Sequence, residues 1–140
     1  DTVCAPASVN SSGVAAELTV RGSSAVADNQ VELFVRNLPE EIVGYFLTSR
    51  TYGAAVTPAG SVGTLCLDGV IGHYVGPSQI KGSGSSGTFG LFVDLTQTPQ
   101  GSAVVQVAPG DSWTFQAWYR DEVAAQPTSN FTSGVELSFR

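Results

Sequence analysis

The residues best suited to chemistry lie in one run, 107–121, which reads V-A-P-G-D-S-W-T-F-Q-A-W-Y-R-D. A turn leads into a strand whose side chains alternate, with Trp113, Phe115, Ala117 and Tyr119 on one side and Thr114, Gln116, Trp118 and Arg120 on the other. The first set reads as core. The second places a tryptophan among polar groups, which suits either a second buried layer or a binding platform. As a platform, Trp118 stacks on a sugar ring while Gln116, Arg120 and the adjacent Asp121 take its hydroxyls. Tyr45, Tyr52, Tyr74 and Glu122 are supplementary contacts.

Reaction chemistry is harder to find. A hydrolytic triad needs a histidine relay, and the single histidine, His73, sits in the apolar run V-I-G-H-Y-V with no G-x-S-x-G elbow nearby. It reads as a structural residue. Asp68, Asp94, Asp111, Asp121 and Glu122 fall mostly at strand ends or turns, where aspartate binds its own backbone, and no D-x-D-x-D-G calcium loop is present. The glycine-serine stretch 82–87 lacks the lysine and following helix of a phosphate loop. The expectation is a non-catalytic protein with no cofactor and no metal site. Cys4 and Cys66 are an even pair, far apart in sequence and without a C-x-x-C spacing. A disulfide is the favoured reading over free buried thiols or a metal pair, and closing a loop of roughly 60 residues stabilises by about 4 kcal/mol on the chain-entropy account.

Strands must position these groups. Residues 16–21, 30–38, 43–50, 70–75, 88–95, 103–107, 112–120 and 134–140 are β-branched or aromatic runs with period-two alternation, separated by turn clusters such as L-P-E-E and T-P-A-G. This spacing predicts an all-β, single antiparallel β-sandwich, immunoglobulin-like or jelly-roll-like, of about 7–9 strands with one disulfide. The chain of 140 residues is expected to form one domain, 1–140, with residues 1–13 as an N-terminal arm that lacks strand alternation. That arm or the C-terminal strand is expected to cover a sheet edge, because the lone lysine, Lys81, lies outside every expected strand and lysine is a common edge guard.

Charged residues are 13% of the chain, about half the usual share, and the net charge is −6. Six scattered basic residues exclude a phosphate-binding stripe, so no nucleic acid and no anionic membrane surface is expected. No apolar run reaches the ~18 residues that span a bilayer, and no basic start precedes an apolar segment, so the chain reads as a mature, secreted or cell-surface protein without membrane insertion. Asn10-Ser11-Ser12 and Asn130-Phe131-Thr132 match the N-glycosylation pattern, but Asn130 reads as a backbone cap at a strand entry.

The stretch 44–77, the segment 89–99 with V-D-L-T-Q-T-P, and W-T-F-Q-A-W-Y-R-D followed by T-S-N-F-T-S-G-V-E-L-S-F-R resemble an uncharacterised β-rich module of secreted bacterial proteins. In those proteins the module often looks like a C-terminal appendage of larger extracellular chains. The resemblance implies secretion and an accessory or surface role, and carries no ligand or catalytic residue. Two functions are therefore expected from different classes. One is a structural or assembly subunit of a filament, matrix or surface layer, with copies of itself as partners. The other is a carbohydrate-binding or adhesive module for extracellular polysaccharide, using Trp118, Gln116, Arg120 and Asp121.

Overall fold

In the computed structural model, which describes residues 1–140, the run carrying both tryptophans is one long strand, Ser112–Val123. Numbered in chain order, the strands are β1 Thr2–Val3, β2 Glu17–Gly22, β3 Val31–Arg36, β4 Val43–Ser49, β5 Thr51–Val56, β6 Leu65–Asp68 and β7 Gly72–His73. They continue with β8 Lys81–Gly82, β9 Phe89–Val93, β10 Thr98–Gln100, β11 Ala103–Val105, β12 Ser112–Val123, β13 Gln126–Phe131 and β14 Gly134–Ser138. A single 3-10 turn, Val26–Asp28, is the only helical element. The larger sheet runs β1-β14-β12-β4-β7, with β13 continuing alongside β12 and β8 alongside β4. The smaller sheet is β2-β3-β9, and β5-β6 and β10-β11 are separate two-stranded pieces. Every ladder is antiparallel.

All eight expected segments carry a strand, but the total is fourteen and not 7–9. The additional ones are short or lack alternation, so periodicity could not show them. Residues 1–13, expected as an arm without strand, hold β1, which pairs Thr2 and Val3 with Val135 and Gly134. The arm closes the β14 edge within its own subunit, as the shortage of edge lysines suggested. The Cys4–Cys66 disulfide is present, joining residues 62 apart.

The two sheets pack face to face. Leu18, Val31, Leu33, Val35, Phe89 and Val93 from the smaller sheet meet Phe46, Trp113, Phe115, Ala117 and Tyr119 from the larger. Each is at most 5% exposed, so the inner face of β12 is assigned as its alternation indicates. Phe46 meets Phe89 edge to face at 5.5 Å. Gly44 lies on the next row, and a Cβ there would come within 2.9 Å of both the Phe89 ring and Tyr119. The closeness of the aromatics therefore depends on the missing side chain.

β12 is paired on both sides. On one side lies β4, from Thr114↔Ser49 to Tyr119↔Gly44. On the other, β14 pairs with residues 112–115 and β13 with residues 118–123, and the register slips by one residue between them. This is a β-bulge at Thr132-Ser133. Thr132 closes the gap, because its N–H donates to the Ala117 carbonyl at 3.0 Å and its Oγ1 accepts the Ala117 N–H at 3.0 Å.

Turn aspartates hold the ends. Asp111 accepts the Ala108 N–H at 2.9 Å and faces Arg50 at 2.9 Å, and these contacts, the backbone bond first, hold its carboxyl below the ordinary range. Asp94 is lowered in the same direction by Thr96, through side chain and backbone, and by Asn29. A depressed carboxyl contributes stability that is present above about pH 4 and is lost as pH falls through the folded-state value. Thermal melts from pH 5 down to pH 2 are expected to show a shallower loss for Asp94→Asn than for the wild type. An identical slope means the turn contributes nothing to acid stability. In the core, Trp113→Ala is expected to lower the urea unfolding free energy by about 3–5 kcal/mol.

Candidate binding face

Thr114, Gln116, Trp118 and Arg120 point away from the main core, onto the outer face of the larger sheet. Their exposure changes steadily along the strand: Thr114 and Gln116 are fully buried, Trp118 is half-buried and Arg120 is exposed. The segment from β5 to β6 causes this by folding over one end of the face. Leu67 on β6, Leu47 on β4 and Phe131 on β13 form a second, small core, flanked by Tyr45, Leu65, Ile71 and Trp118.

Gln116 anchors that cover. Its Nε2 donates to the Thr64 and Thr132 carbonyls, each at 2.8 Å, and its Oε1 accepts the Cys66 N–H at 3.2 Å. A glutamine expected to contact sugar is instead a buried fastener. Asp121, also expected in the glycan set, is 5% exposed. It lies on the same side of β12 as Tyr119, accepts the Ser11 N–H at 2.8 Å and bonds the Ser11 hydroxyl. Both residues are removed from the open face, because burial and their bonds within the protein leave neither polar group accessible.

What remains open is an aromatic ribbon that crosses the strands. Trp118 sits opposite Tyr45 in the ladder, with ring centroids 4.9 Å apart and planes at 30°. Tyr45 approaches His73 at 5.9 Å on its other side, and the Arg120 guanidinium lies over the Trp118 ring at 5.5 Å. Burial raises the Tyr45 phenol, and the nearby Arg120 charge opposes part of that rise. A cleft of 290 Å³ opens next to Trp118 and Arg120, with Ala59, Gly60, Pro127, Thr128 and Ser129 as its other walls.

His73 is exposed, although the sequence placed it as a structural residue in an apolar run. Only Gly72 and His73 of that run pair with β4, and alternation then turns Tyr74 inward, where it is 1% exposed, and His73 outward. Tyr74 therefore leaves the set of ligand contacts and His73 enters it. Burial raises the phenol of Tyr74 and also that of Tyr119, the latter to about 12. Asn10 and Asn130, the acceptors of the two glycosylation patterns, are 5% and 0% exposed. Asn10 donates to the Asn37 carbonyl and the Tyr119 hydroxyl, and Asn130 to the Ser8 and Val9 carbonyls. Asn130 lies inside β13 and not at its entry. No three histidine, cysteine, aspartate or glutamate side chains come together in metal-binding geometry. No helix is long and apolar enough to cross a membrane.

No family model, curated protein or solved structure matches the chain. The chemistry of the face is therefore read from its own residues. It presents an aromatic surface, a guanidinium and a cleft beside them. Gln116→Leu, which keeps the volume and removes the bonds, is expected to cost about 1–3 kcal/mol for each buried group left unpaired. Urea unfolding measures the loss, and faster amide exchange at Cys66 locates it.

Proposed function

We propose that the protein is an extracellular structural or assembly subunit that self-associates through its strand edges. Two exposed edges without charge or proline support this most directly. β9 is hydrogen-bonded only to β3, and its sequence F-G-L-F-V contains neither a charge nor a proline. Phe92 on this strand is 74% exposed, more than any other large apolar side chain in the molecule. β5, T-Y-G-A-A-V, is paired only with β6, and all six of its residues are exposed, again without charge or proline, its one guard being a bulge at residues 53–55. Natural monomers guard such edges with lysine, proline, bulges or covering segments. The edges of β14 and β13 are covered. β1 covers β14, and the backbone of Val62 donates to Ser129 along β13.

β9 also matches a second copy of itself. Two β9 strands paired antiparallel about Leu91 set each Phe92 opposite Gly90 of its partner. The same pairing already occurs inside the subunit, where Phe34 faces Gly90 and a Cβ on Gly90 would meet the Phe34 ring at 3.2 Å. The Cys4–Cys66 disulfide supports an oxidising, extracellular setting, as does the resemblance to a secreted bacterial module.

With two self-pairing edges, the wild type is expected to form species larger than dimers in light scattering across a concentration series. Negative-stain images should show chains or sheets. Phe92→Lys guards one edge and leaves dimers joined through β5. Ala54→Pro guards the other and leaves dimers joined through β9, and its folding is safe because residues 53–55 have no ladder partner in β6. The double variant is expected to be monomeric. A wild type that stays monomeric at the highest soluble concentration overturns the assembly reading.

A further inference from the structure

Basic residues are few in this chain, and half of them are committed to partners. Arg21 faces Glu32, Arg36 faces Glu17 and Arg50 faces Asp111, each within 4 Å, which leaves Lys81, Arg120 and Arg140. Of these, only Arg120 is held on an aromatic ring and opens into a cleft. It donates no hydrogen bond to the protein. A guanidinium has five N–H donors in a rigid planar fork that fits a carboxylate or sulfate oxygen pair, and stacking on indole orients the fork without consuming those donors.

We propose that the ribbon His73–Tyr45–Trp118–Arg120 and its adjoining cleft bind an acidic glycan, a polysaccharide whose sugar rings carry carboxylate or sulfate groups. The rings of the glycan lie along the Tyr45 and Trp118 side chains, which sit opposite one another in the ladder with ring centroids 4.9 Å apart. Apolar C–H faces of a sugar suit the aromatic surface, whereas its hydroxyls need donors and acceptors at the rim. Thr128 lines the cleft and offers a hydroxyl there, although it also donates to the Gly60 carbonyl, whereas the Ser129 hydroxyl is buried and committed. The acidic group of the sugar takes the Arg120 fork.

The aromatic strip, not charge, distinguishes this ligand from other anions. The net charge of −6 gives no long-range attraction to any polyanion, an acidic glycan included, so an anion that offers only its charge has little to gain from the surface. Recognition depends on one guanidinium acting together with an aromatic strip. A glycan that bears an acid on a ring provides both counterparts. The site is separate from β9, which belongs to the smaller sheet, so its occupancy does not depend on β9 self-pairing.

Affinity electrophoresis in native gels tests the proposal with four soluble polymers: polygalacturonate, dextran sulfate, neutral dextran and polyglutamate. Wild type is expected to be retarded by polygalacturonate or dextran sulfate, and comparison of the two separates carboxylate from sulfate recognition. Neutral dextran and polyglutamate are expected to retard it at least tenfold less. Arg120→Gln, at an exposed side chain, should weaken binding at least tenfold with an unchanged thermal midpoint. Arg120→Lys should restore only part of it, because a point charge cannot form the paired bonds. His73→Ala, also at an exposed position, checks the far end of the ribbon and is expected to weaken binding of long chains more than of short oligomers. Equal retardation by polyglutamate shows ion exchange and overturns the glycan assignment. Binding to neutral dextran alone overturns the acidic preference. Full binding by Arg120→Gln, or no binding to any of the four polymers, overturns the site.

Discussion

A single carboxamide in the middle of β12 connects the parts of this molecule that would otherwise be independent. Gln116 bonds to Thr64 and Cys66 in the segment that covers the outer face, and to Thr132 at the bulge where β13 passes into β14. Cys66 is joined in turn to Cys4 in the N-terminal arm. The arm, the cover and the C-terminal strand therefore converge on one side chain. In a site with no exposure, each of these bonds replaces water that cannot enter, so a missing partner costs far more than a surface bond would. The same arrangement decides where the binding face begins. The cover reaches Gln116 and stops there, so Trp118, one step further along the same side, is left half open.

Strand alternation revealed which side chains share a face of β12, but not what lies on that face. Trp113, Phe115 and Tyr119 were legible as core because the inner face of a sandwich strand is buried along its whole length. Gln116 was misjudged because polarity was taken to mean solvent, whereas here the burying elements are irregular and come from fifty residues upstream. Asp121 was misjudged for a related reason. Its adjacency in sequence to Arg120 placed it beside the platform, but one step along a strand is the opposite face. The strands missed in the sequence also have physical causes. β13 reads Q-P-T-S-N-F, with a proline and few apolar groups, and its buried residues Ser129 and Asn130 are satisfied by the loop and arm that lie against it. β5 shows no alternation because neither of its faces is covered. β1 and β8 are two-residue pairings too short to carry a period.

The scarcity of charge has a structural logic. Three of the five arginines are matched to carboxylates, across the ladder for Arg21–Glu32 and Arg36–Glu17 and at a turn for Arg50–Asp111. Such exposed pairs contribute little to stability, roughly 0–1 kcal/mol each. They do place charge on the β2 side of the smaller sheet and none on the β9 side. The smaller sheet is thus guarded at one edge and bare at the other.

This asymmetry makes the two proposed activities compatible in one small molecule. Pairing through β9 extends the smaller sheet from three strands to six and buries backbone groups, not either outer face. The aromatic ribbon lies on the outer face of the larger sheet, across the core from that edge. A pair joined through β9 would therefore present both ribbons to its surroundings. Repetition matters for a polymeric ligand, because contacts that are weak individually become strong when several are engaged along one strand of glycan and the second contact is intramolecular. A single guanidinium on an aromatic strip is a modest site in a monomer. Arrayed along an assembly, the proposed site would gain avidity for a polysaccharide without the clustered basic residues that this acidic, charge-poor chain does not have.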